Sequence, residues 1–232
     1  MSKTNTFLDP MFSKPLYSKI LNIDTKKIIS MYDSSKHATK FHDAGENSTE
    51  ENEADSISQS SDCLYVLEEK RFKFLKDEMM KEFYLFASDV MRYSNKFEIT
   101  TSWFTKSITG QSSNSHNHNN CMYSAVLYLQ TSKNCGNIIF TSSADKRYNL
   151  EKNDYNLYNS TEWGVKPVDG LLVIFPSEVF HKIAKNKSDT TRYSLAFNVV
   201  PTGLIGNFYT DSHMKIKVEK SYEQRILCSS IK

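Results

Sequence analysis

The sequence lacks the features of a secreted or membrane-spanning protein. No stretch approaches the roughly 20 apolar residues that a transmembrane helix needs. The opening MSKTNTFLDPMFSKPLYSKIL has no apolar segment between a basic head and a small-residue cleavage site, which argues against a secretory signal. The cysteines are few and form no CxxC pair, so we expect free thiols in a reducing, cytoplasmic compartment. They are Cys63, Cys121, Cys135 and Cys228.

The sequence also lacks a strong charge of either sign. Its 232 residues carry a formal net charge of only +2, whereas a nucleic acid or an anionic membrane calls for a concentrated basic patch. We therefore expect neither partner. Apolar residues make up 39% of the chain and aromatic residues 12%, which is typical of a globular protein with a buried core. Residues 1–232 are accordingly predicted to form a single domain.

The N-terminal part of the chain divides into a segment with helix signals and a polar segment. Pro10 and Pro15 punctuate an extended stretch, and Asp24 or Thr25 is expected to cap a short helix. Residues 33–62 are rich in Ser, Glu, Asp and Asn and almost free of large apolar side chains. Such a segment buries too little surface to offset the entropy of ordering, so we predict a mobile loop. The acidic part of this segment, residues 43–62, has three possible roles: a lid, a segment that docks a partner, or an insertion without a function.

Helical and strand patterns follow in that order. Between residues 64 and 93, apolar side chains recur at helical spacing and predict one or two helices packed on a sheet, with core positions Phe72, Leu75, Met79, Phe83 and Phe86. From residue 97 to 201, short runs rich in β-branched and aromatic residues alternate with turn residues. They predict a mainly β fold with flanking α-helices, a sandwich or jelly roll with the strands FEITTSWFTKSI, MYSAVLYLQ, GNIIFTSS, GLLVIFP and RYSLAFNVVP. The tail segment MKIKVEK is either an edge strand or a frayed end.

Three histidines occur where strand geometry can bring them to one metal ion. His116 and His118 are two residues apart, and alternate residues of a strand point to the same face. His181 follows the buried strand GLLVIFP and a Pro-Ser turn, from which a side chain can project into a cavity. Taken singly, each motif also fits a polar surface loop or a structural histidine with satisfied hydrogen bonds.

An arginine and a serine predict a binding site for a carboxylate beside the metal site. Arg192 and Ser194 are again two residues apart, so a planar guanidinium and a hydroxyl share one strand face and suit a carboxylate ligand. The same parity turns Ala196 and Asn198 inward, and on this ground we assign Asn198 to the same ligand site. Arg192 lies 11 residues beyond His181, enough for one hairpin that returns the Arg strand to the metal. The three histidines then form the facial ligand set that oxygen chemistry on iron requires.

This order of motifs resembles that of the 2-oxoglutarate/Fe(II)-dependent oxygenases. It is most similar to a branch related to the prolyl hydroxylases, with an HxH…H…RxS motif between about Trp103 and Pro201. The resemblance implies a double-stranded β-helix, the cupin-like jelly roll. It also implies that His116 and His181 bind the iron, and that the distal carboxylate of 2-oxoglutarate is bound by Arg192, Ser194 and Tyr128. The P-x-x-G turn of that family matches Pro167–Gly170.

The sequence departs from the superfamily pattern at one position. His118 stands where the superfamily has Asp or Glu, although the HxH form is similar to this particular branch. We prefer His118 as the third ligand in a neutral three-histidine set. The alternatives are that His118 points elsewhere, or that Asp145 or Asp154 supplies an acidic ligand.

The resemblance implies an oxidoreductase: a dioxygenase that uses Fe(II), 2-oxoglutarate and O2. Its expected reaction hydroxylates a C–H bond and releases succinate and CO2. By analogy with the prolyl hydroxylases, the expected substrate is a peptide or protein side chain. A homodimer through an exposed edge strand fits the pattern as well. The rival functions are a cupin-like metal-binding protein without 2-oxoglutarate chemistry and a non-catalytic interaction module.

Overall fold

The computed structural model describes residues 9–33, 41–43, 59–61, 63–142, 148, 150–206 and 211–219. The chain begins with strand β1 (Tyr17–Ile20) and helix α1 (Thr25–Asp33). Asp24 caps α1, since its Oδ1 accepts a hydrogen bond from the Lys27 backbone N–H at 3.0 Å. The predicted short helix and its cap are confirmed.

A helical segment lies between residues 66 and 90, as predicted. Two short 3-10 turns (Val66–Glu68 and Lys70–Phe72) lead into helix α2 (Lys73–Leu85), which ends in a π-helical turn (Phe86–Val90). The predicted core positions are all fully buried, namely Phe72, Leu75, Met79, Phe83 and Phe86. No helix among the described residues is both long and apolar enough to cross a membrane.

The strands make up most of the regular secondary structure in the described part of the chain. Besides β1, two of them precede α2, namely β2 (Phe41–Asp43) and β3 (Gln59–Ser61). The strands that match the five predicted runs follow α2, namely β4 (Lys96–Ser107), β5 (Tyr123–Gln130), β6 (Ile138–Thr141), β8 (Leu171–Pro176) and β10 (Arg192–Ile205). Two further strands, β7 (Glu162–Val165) and β9 (Phe180–Ile183), were not predicted. The tail forms β11 (Met214–Ile216), which pairs with the end of β10. The edge-strand alternative for this segment is therefore the correct one.

Two antiparallel sheets face each other in a double-stranded β-helix. Within the described part of the chain, the larger sheet has eight strands in the order β1-β8-β5-β10-β4-β3-β2, with β11 beside β10. The smaller sheet has the order β7-β6-β9. The mainly β, cupin-like jelly roll with flanking helices is confirmed.

The strands β5 and β8 of the larger sheet are buried on both faces, and each face belongs to a different core. Alternate side chains of β5 show the division, because Leu127 and Leu129 pack toward the helices whereas Val126 and Tyr128 pack toward the smaller sheet. The first core contains α1 and α2, and the second lies between the sheets. A continuous buried run such as β5 is the pattern expected of a strand covered on both sides.

The segment predicted to be one mobile loop contains two strands. β2 pairs with β3, and β3 pairs with β4 at the edge of the larger sheet. Ser61 is fully buried, and its hydroxyl donates to the Cys63 carbonyl at 3.0 Å and accepts from the Phe104 N–H at 3.1 Å. The loop prediction is therefore wrong for residues 41–43 and 59–61, because backbone pairing can order short strands with few apolar residues. Residues 34–40, 44–58 and 62 lie outside the described residues.

Candidate active site

The segment before β5 carries the HxH motif alongside β9. The backbones of His116 and His181 exchange two hydrogen bonds, of 2.9 and 2.8 Å. Ser113 adds to the pairing, since its N–H donates to the Ile183 carbonyl at 3.0 Å and its hydroxyl accepts from the Ile183 N–H at 2.8 Å. The prediction of a regular strand at the HxH motif is wrong, because this motif pairs with β9 only through an isolated β-bridge between His116 and His181. The extended backbone nevertheless leaves His116 and His118 on one side.

The three predicted histidines converge. The ligand atoms of His116, His118 and His181 lie within 4.8 Å of one another, close enough for one metal ion. Their ring centroids are 4.4–5.1 Å apart. His181 is buried, His118 is half-buried and His116 is exposed. The cluster therefore lies at the boundary between a dry interior and solvent.

Backbone carbonyls orient two of these rings. Nδ1 of His116 lies 2.9 Å from the Asn114 carbonyl oxygen, and Nδ1 of His181 lies 3.1 Å from that of Val179. A carbonyl oxygen can only accept, so each Nδ1 must carry the proton. Each Nε2 is then the nitrogen with the free lone pair, which is the form that binds a metal.

Burial also keeps two of the imidazoles neutral. Desolvation, with a smaller contribution from His116, lowers the pKa of His118 to about 4. The same causes lower the pKa of His181 to about 3. Both rings are therefore unprotonated at neutral pH and available as ligands.

The cavity beyond the histidines ends at a buried arginine. Arg192 is only 2% exposed, and its Nη1 donates to the Cys135 carbonyl at 2.9 Å and more weakly to that of Gly136 at 3.4 Å. Desolvation lowers the pKa of Arg192. Within the described residues no carboxylate pairs with it. A buried guanidinium held only by carbonyls is a strong site for an anionic ligand.

Tyr128 and Ser194 stand beside this guanidinium. They are direct partners across β5 and β10, and both line the cavity together with Arg192. The Tyr128 hydroxyl is fully buried and has no hydrogen-bond partner in the described structure. Burial raises the pKa of this phenol, and the nearby Arg192 opposes the shift. A buried phenol of this kind calls for an acceptor from a ligand.

Asn198 is not brought into the cavity. It faces inward as the strand parity predicts, but its Oδ1 accepts from the Ser124 hydroxyl at 2.7 Å and its Nδ2 donates to Thr101 Oγ1 at 3.1 Å. The structure therefore does not support the predicted contact between Asn198 and the co-substrate, because neighbouring side chains already form the hydrogen bonds of its amide. Trp103 does line the cavity, with its ring centroid 5.7 Å from that of His118.

The structure offers no acidic alternative to His118 among the described residues. The group of metal-binding side chains there consists of the three histidines alone. Asp154 lies in an exposed turn outside this group, where its Oδ1 accepts from the Tyr155 N–H at 2.7 Å. Asp145 lies outside the described residues.

Several lining residues were missed by the sequence reasoning. Thr105 is the register partner of Ser194 on β4, and Ser124 and Ser113 add hydroxyls to the wall. The apolar part of the wall comes from both sheets, from Val126, Ile138, Phe175 and Ile183. No local motif marks these residues, since their common location follows from strand register.

Comparisons with known proteins agree with this geometry. Residues 101–198 match the family described as "Putative 2OG-Fe(II) oxygenase", and this stretch contains all three histidines and the Arg192–Ser194 pair. No curated protein matches the sequence.

Solved structures of low sequence identity share the fold. A prolyl-4-hydroxylase from Pseudomonas putida aligns with a TM-score of 0.53 at 18% identity, over 80% of this chain and 93% of that chain. HygX from Streptomyces hygroscopicus, solved with nickel and 2-oxoglutarate bound, aligns with a TM-score of 0.56 at 10% identity, over 82% of this chain and 84% of that chain. A prolyl hydroxylase from Trichoplax adhaerens, in complex with a hypoxia inducible factor peptide fragment, gives 0.53 at 13% identity over 81% and 83%.

The family match covers the segment that carries the chemistry, and the shared fold extends over most of the chain. The donor set is also suited to the family's cofactors, since three neutral imidazoles suit iron and a buried guanidinium suits a carboxylate. The family match, the shared fold and the three-histidine group together indicate a 2-oxoglutarate/Fe(II)-dependent oxygenase, an oxidoreductase that uses iron, 2-oxoglutarate and O2.

Proposed function

We propose that this oxygenase binds Fe(II) through His116, His118 and His181, with 2-oxoglutarate held by Arg192, Ser194 and Tyr128. One observation carries the assignment. The buried Arg192 and the unsatisfied Tyr128 hydroxyl line the same cavity as the three imidazoles. A dicarboxylate that extends from the imidazoles to Arg192 satisfies both groups at once.

The protein contributes orientation and exclusion of water. With both bound, iron and 2-oxoglutarate supply the oxidising chemistry, in which succinate and CO2 are released and a substrate C–H bond is hydroxylated. Arg192 and Tyr128 fix one end of the co-substrate in a buried pocket, and the apolar wall between the sheets keeps that end dry. Three neutral imidazoles leave the metal's charge uncompensated, which favours binding of an anionic co-substrate.

Anaerobic titration tests this proposal. The wild-type chain with Fe(II) is expected to develop a weak visible charge-transfer band on addition of 2-oxoglutarate, and to release succinate once O2 is admitted. His181→Ala is expected to abolish both signals. His213→Ala is the control, since His213 lies on the exposed tail outside the cluster. A wild-type chain without the band, or a band that survives in His181→Ala, contradicts the proposal.

For the substrate we propose a polypeptide side chain. The exposed His116 places the metal end of the cavity near the surface, where a large substrate can reach it. The β6–β7 connection leaves from this end, because Thr141 of β6 lies opposite Phe180, the neighbour of His181. In this connection Tyr155 and Leu157 are 66% and 62% exposed.

The exposed side chains of this connection are held on an ordered turn. Asn156 accepts backbone hydrogen bonds from Tyr158 and Asn159 at 2.8 and 3.2 Å, and Ser160 Oγ donates to the Asn156 carbonyl at 2.6 Å. Rigid aromatic groups among Asn and Ser residues are typical of surfaces that bind polypeptides. The charges nearby are mixed, as in the Lys182–Glu162 pair at 3.0 Å, which disfavours a polyanionic substrate.

Turnover of a degenerate pool of unstructured peptides tests the substrate class. We expect peptide-dependent succinate release, with KM raised and kcat little changed in a variant with Tyr155→Ser and Leu157→Ser. The matched control is Leu204→Ser with Met214→Ser, since these exposed apolar residues lie on β10 and β11. Turnover with a pool of small metabolites or RNA, but none with peptides, overturns this class.

We also propose that the protein works in a reducing compartment such as the cytoplasm. Cys121 and Cys135 are free thiols in the described structure, and Cys135 is buried. Thiol counting in the unfolded chain, purified without reductant, is expected to find every cysteine reactive. A protected pair would contradict this assignment.

A further inference from the structure

Four polar side chains form a continuous hydrogen-bonded chain across the larger sheet near His118. Ser177 follows β8, Ser124 lies on β5, Asn198 on β10 and Thr101 on β4. The Ser177 and Ser124 hydroxyl oxygens are 2.9 Å apart, Ser124 Oγ is 2.7 Å from Asn198 Oδ1, and Asn198 Nδ2 is 3.1 Å from Thr101 Oγ1. Ser177 and Ser124 are 0% and 2% exposed. We call this set the polar chain.

With Asn198 Oδ1 facing Ser124, the donors of the polar chain all point in one direction. Asn198 Oδ1 can only accept, so Ser124 must donate its single hydroxyl proton to it. Ser124 then has only acceptor capacity left for Ser177, and Ser177 must be the donor in that bond. The Asn198 amide donates onward to Thr101. A chain of consecutive hydrogen bonds in which every donor has an acceptor is expected to be rigid, because each bond polarises the next.

The polar chain ends at the residue that anchors His118. The His118 backbone N–H donates to the Ser177 carbonyl at 2.9 Å, and the Ser177 N–H donates to the Met122 carbonyl at 3.0 Å. Ser177 is thus held by its backbone and by its hydroxyl at the same time. Its location in turn determines where the His118 backbone lies.

His118 depends on this anchor more than the other two histidines do. Carbonyl oxygens hold the rings of His116 and His181 directly through Nδ1. The His118 ring has no hydrogen bond to any described residue, and its nearest aromatic neighbour outside the cluster is Trp103, with ring centroids 5.7 Å apart. Backbone anchoring is therefore the main restraint on the orientation of His118.

We propose that the polar chain of Ser177, Ser124, Asn198 and Thr101 positions His118 as the third metal ligand. This inference rests on the proposed function, in which the three histidines hold Fe(II). The four side chains are positioning residues that act through the His118 backbone. In this proposal Asn198 supports His118 and does not contact the co-substrate. His118, the least restrained of the three histidines, is thus held in place by side chains of the larger sheet.

The variant Ser124→Ala tests the inference, because it interrupts the polar chain at its centre. Asn198 Oδ1 loses its donor and the Ser177 hydroxyl loses its acceptor. We expect Fe(II) affinity, measured by anaerobic calorimetry, to fall about 10- to 100-fold, as for other residues that support metal ligands. The affinity for 2-oxoglutarate at saturating metal should change far less, because Arg192 and Tyr128 are untouched.

The matched control is Ser132→Ala. Ser132 Oγ donates to Ser188 Oγ at 2.8 Å, a serine–serine hydrogen bond between loops that leads to no histidine. We expect wild-type Fe(II) affinity in this control. Ser124→Thr keeps the hydroxyl and should restore most of the affinity. Asn198→Ala removes the amide at a half-buried position, breaks the same chain at its next link and should also weaken Fe(II) binding.

A spectroscopic measurement separates positioning from general loosening of the fold. With Co(II) in place of Fe(II), the visible spectrum of Ser124→Ala is expected to shift toward that of His118→Ala, while the melting midpoint stays within a few degrees of wild type. Wild-type Fe(II) affinity in both Ser124→Ala and Asn198→Ala, or an equal loss in Ser132→Ala, overturns the inference alone. A wild-type chain that binds no Fe(II) overturns the proposed function as well.

Discussion

At the scale of single residues, Tyr128 shows a conflict between stability and binding. Its hydroxyl is buried without a partner, which costs the ligand-free protein the desolvation of a polar group. Tyr128→Phe removes the hydroxyl and keeps the ring. We expect the ligand-free protein to become more stable by about 1 kcal/mol, and 2-oxoglutarate affinity to fall roughly 10-fold. Urea denaturation and co-substrate titration measure the two effects.

The matched control for Tyr128→Phe is Tyr123→Phe on the same strand. The Tyr123 hydroxyl lies 3.3 Å from that of Tyr93 on the helix side of the sheet, so its removal breaks a bond and leaves the cavity unchanged. We expect no gain in stability and no loss of co-substrate affinity in this control. A destabilised Tyr128→Phe protein would indicate that the phenol already has a partner in the ligand-free state.

Binding of 2-oxoglutarate is expected to require the guanidinium group of Arg192 and not only its positive charge. In Arg192→Lys the charge remains, but the planar fork that can bind a carboxylate with two parallel bonds is lost. We expect 2-oxoglutarate affinity to fall about 10- to 100-fold with Fe(II) affinity unchanged. Arg71→Lys is the control, since Arg71 binds Glu69 at 2.7 Å and the Met31 carbonyl at 2.8 Å on the helical side. Equal losses in both variants would contradict a specific role for Arg192.

The lowered pKa values of His118 and His181 predict how the metal-free protein responds to acid. The pKa of His118 falls to about 4 and that of His181 to about 3, whereas an unfolded histidine titrates near 6.5. Between about pH 6.5 and about pH 4 the unfolded chain therefore binds protons that the native chain does not. Stability must fall as the pH drops through this window, by roughly 2 kcal/mol per histidine at about pH 5.

Denaturant midpoints at about pH 7 and about pH 5 measure this effect, with His181→Gln as the informative variant. Glutamine does not titrate, so the difference in stability between the two pH values should shrink. An undiminished difference in His181→Gln would show that other groups cause the acid sensitivity.

The sequence predicts which residues form the site better than it predicts which residues hold them in position. His116, His118, His181 and Arg192 belong to motifs whose chemistry is recognisable by residue type and spacing. Asn198 has the right parity, but whether its amide faces a ligand or a neighbour depends on Ser124, which lies 74 positions away in the chain. Contacts of this range follow from strand register, which no local pattern specifies.

At the scale of elements, the β5–β6 turn determines where Arg192 lies. Gly136 adopts a φ of +91°, and its carbonyl accepts a weak bond from Arg192 Nη1 at 3.4 Å. A Cβ at this position would overlap the Ala184 carbonyl oxygen and come within 3.1 Å of Arg192 Nη1. We expect Gly136→Ala to cost about 1–3 kcal/mol of stability and to weaken 2-oxoglutarate binding by displacing the guanidinium.

Gly110→Ala separates backbone strain from collision. Gly110 has nearly the same φ, +88°, but a Cβ there would meet nothing within 4 Å. We expect a cost of about 1 kcal/mol and no change in co-substrate affinity. Thermal melting and 2-oxoglutarate titration of the two variants make the comparison. Equal effects of the two substitutions on co-substrate binding would contradict a role for the β5–β6 turn in placing Arg192.

Elements buried by apolar side chains are predictable from the sequence, and elements held by backbone pairing are not. The strands β5 and β8 appear as apolar runs because both faces of the larger sheet are covered. Strands β2 and β3 occur in a polar stretch, where their pairing with the sheet edge has no compositional signal. The segment that carries His116 is extended for a similar reason, since its hydrogen bonds to β9 order it.

At the scale of the whole molecule, the two cores share one sheet. The apolar cluster under the helices and the cluster between the sheets both include side chains of β5 and β8. Loss of either core would expose one face of the same strands. We therefore expect the described part of the chain to unfold as one cooperative unit, with a single transition by circular dichroism and by fluorescence.

Binding of the metal, followed by binding of 2-oxoglutarate, is expected to stabilise this whole unit against unfolding. A ligand that binds only the native state at about 100 times its Kd adds about 2.7 kcal/mol, which raises the Tm of a chain of this size by roughly 5–10 °C. Fe(II) or Ni(II) should give such a shift alone, because the histidines already converge. With metal present, 2-oxoglutarate should give a further shift, and without metal a much smaller one, because Arg192 and Tyr128 hold only one end of it. A shift confined to one of two separate transitions would show instead that the helices and the β-helix unfold independently.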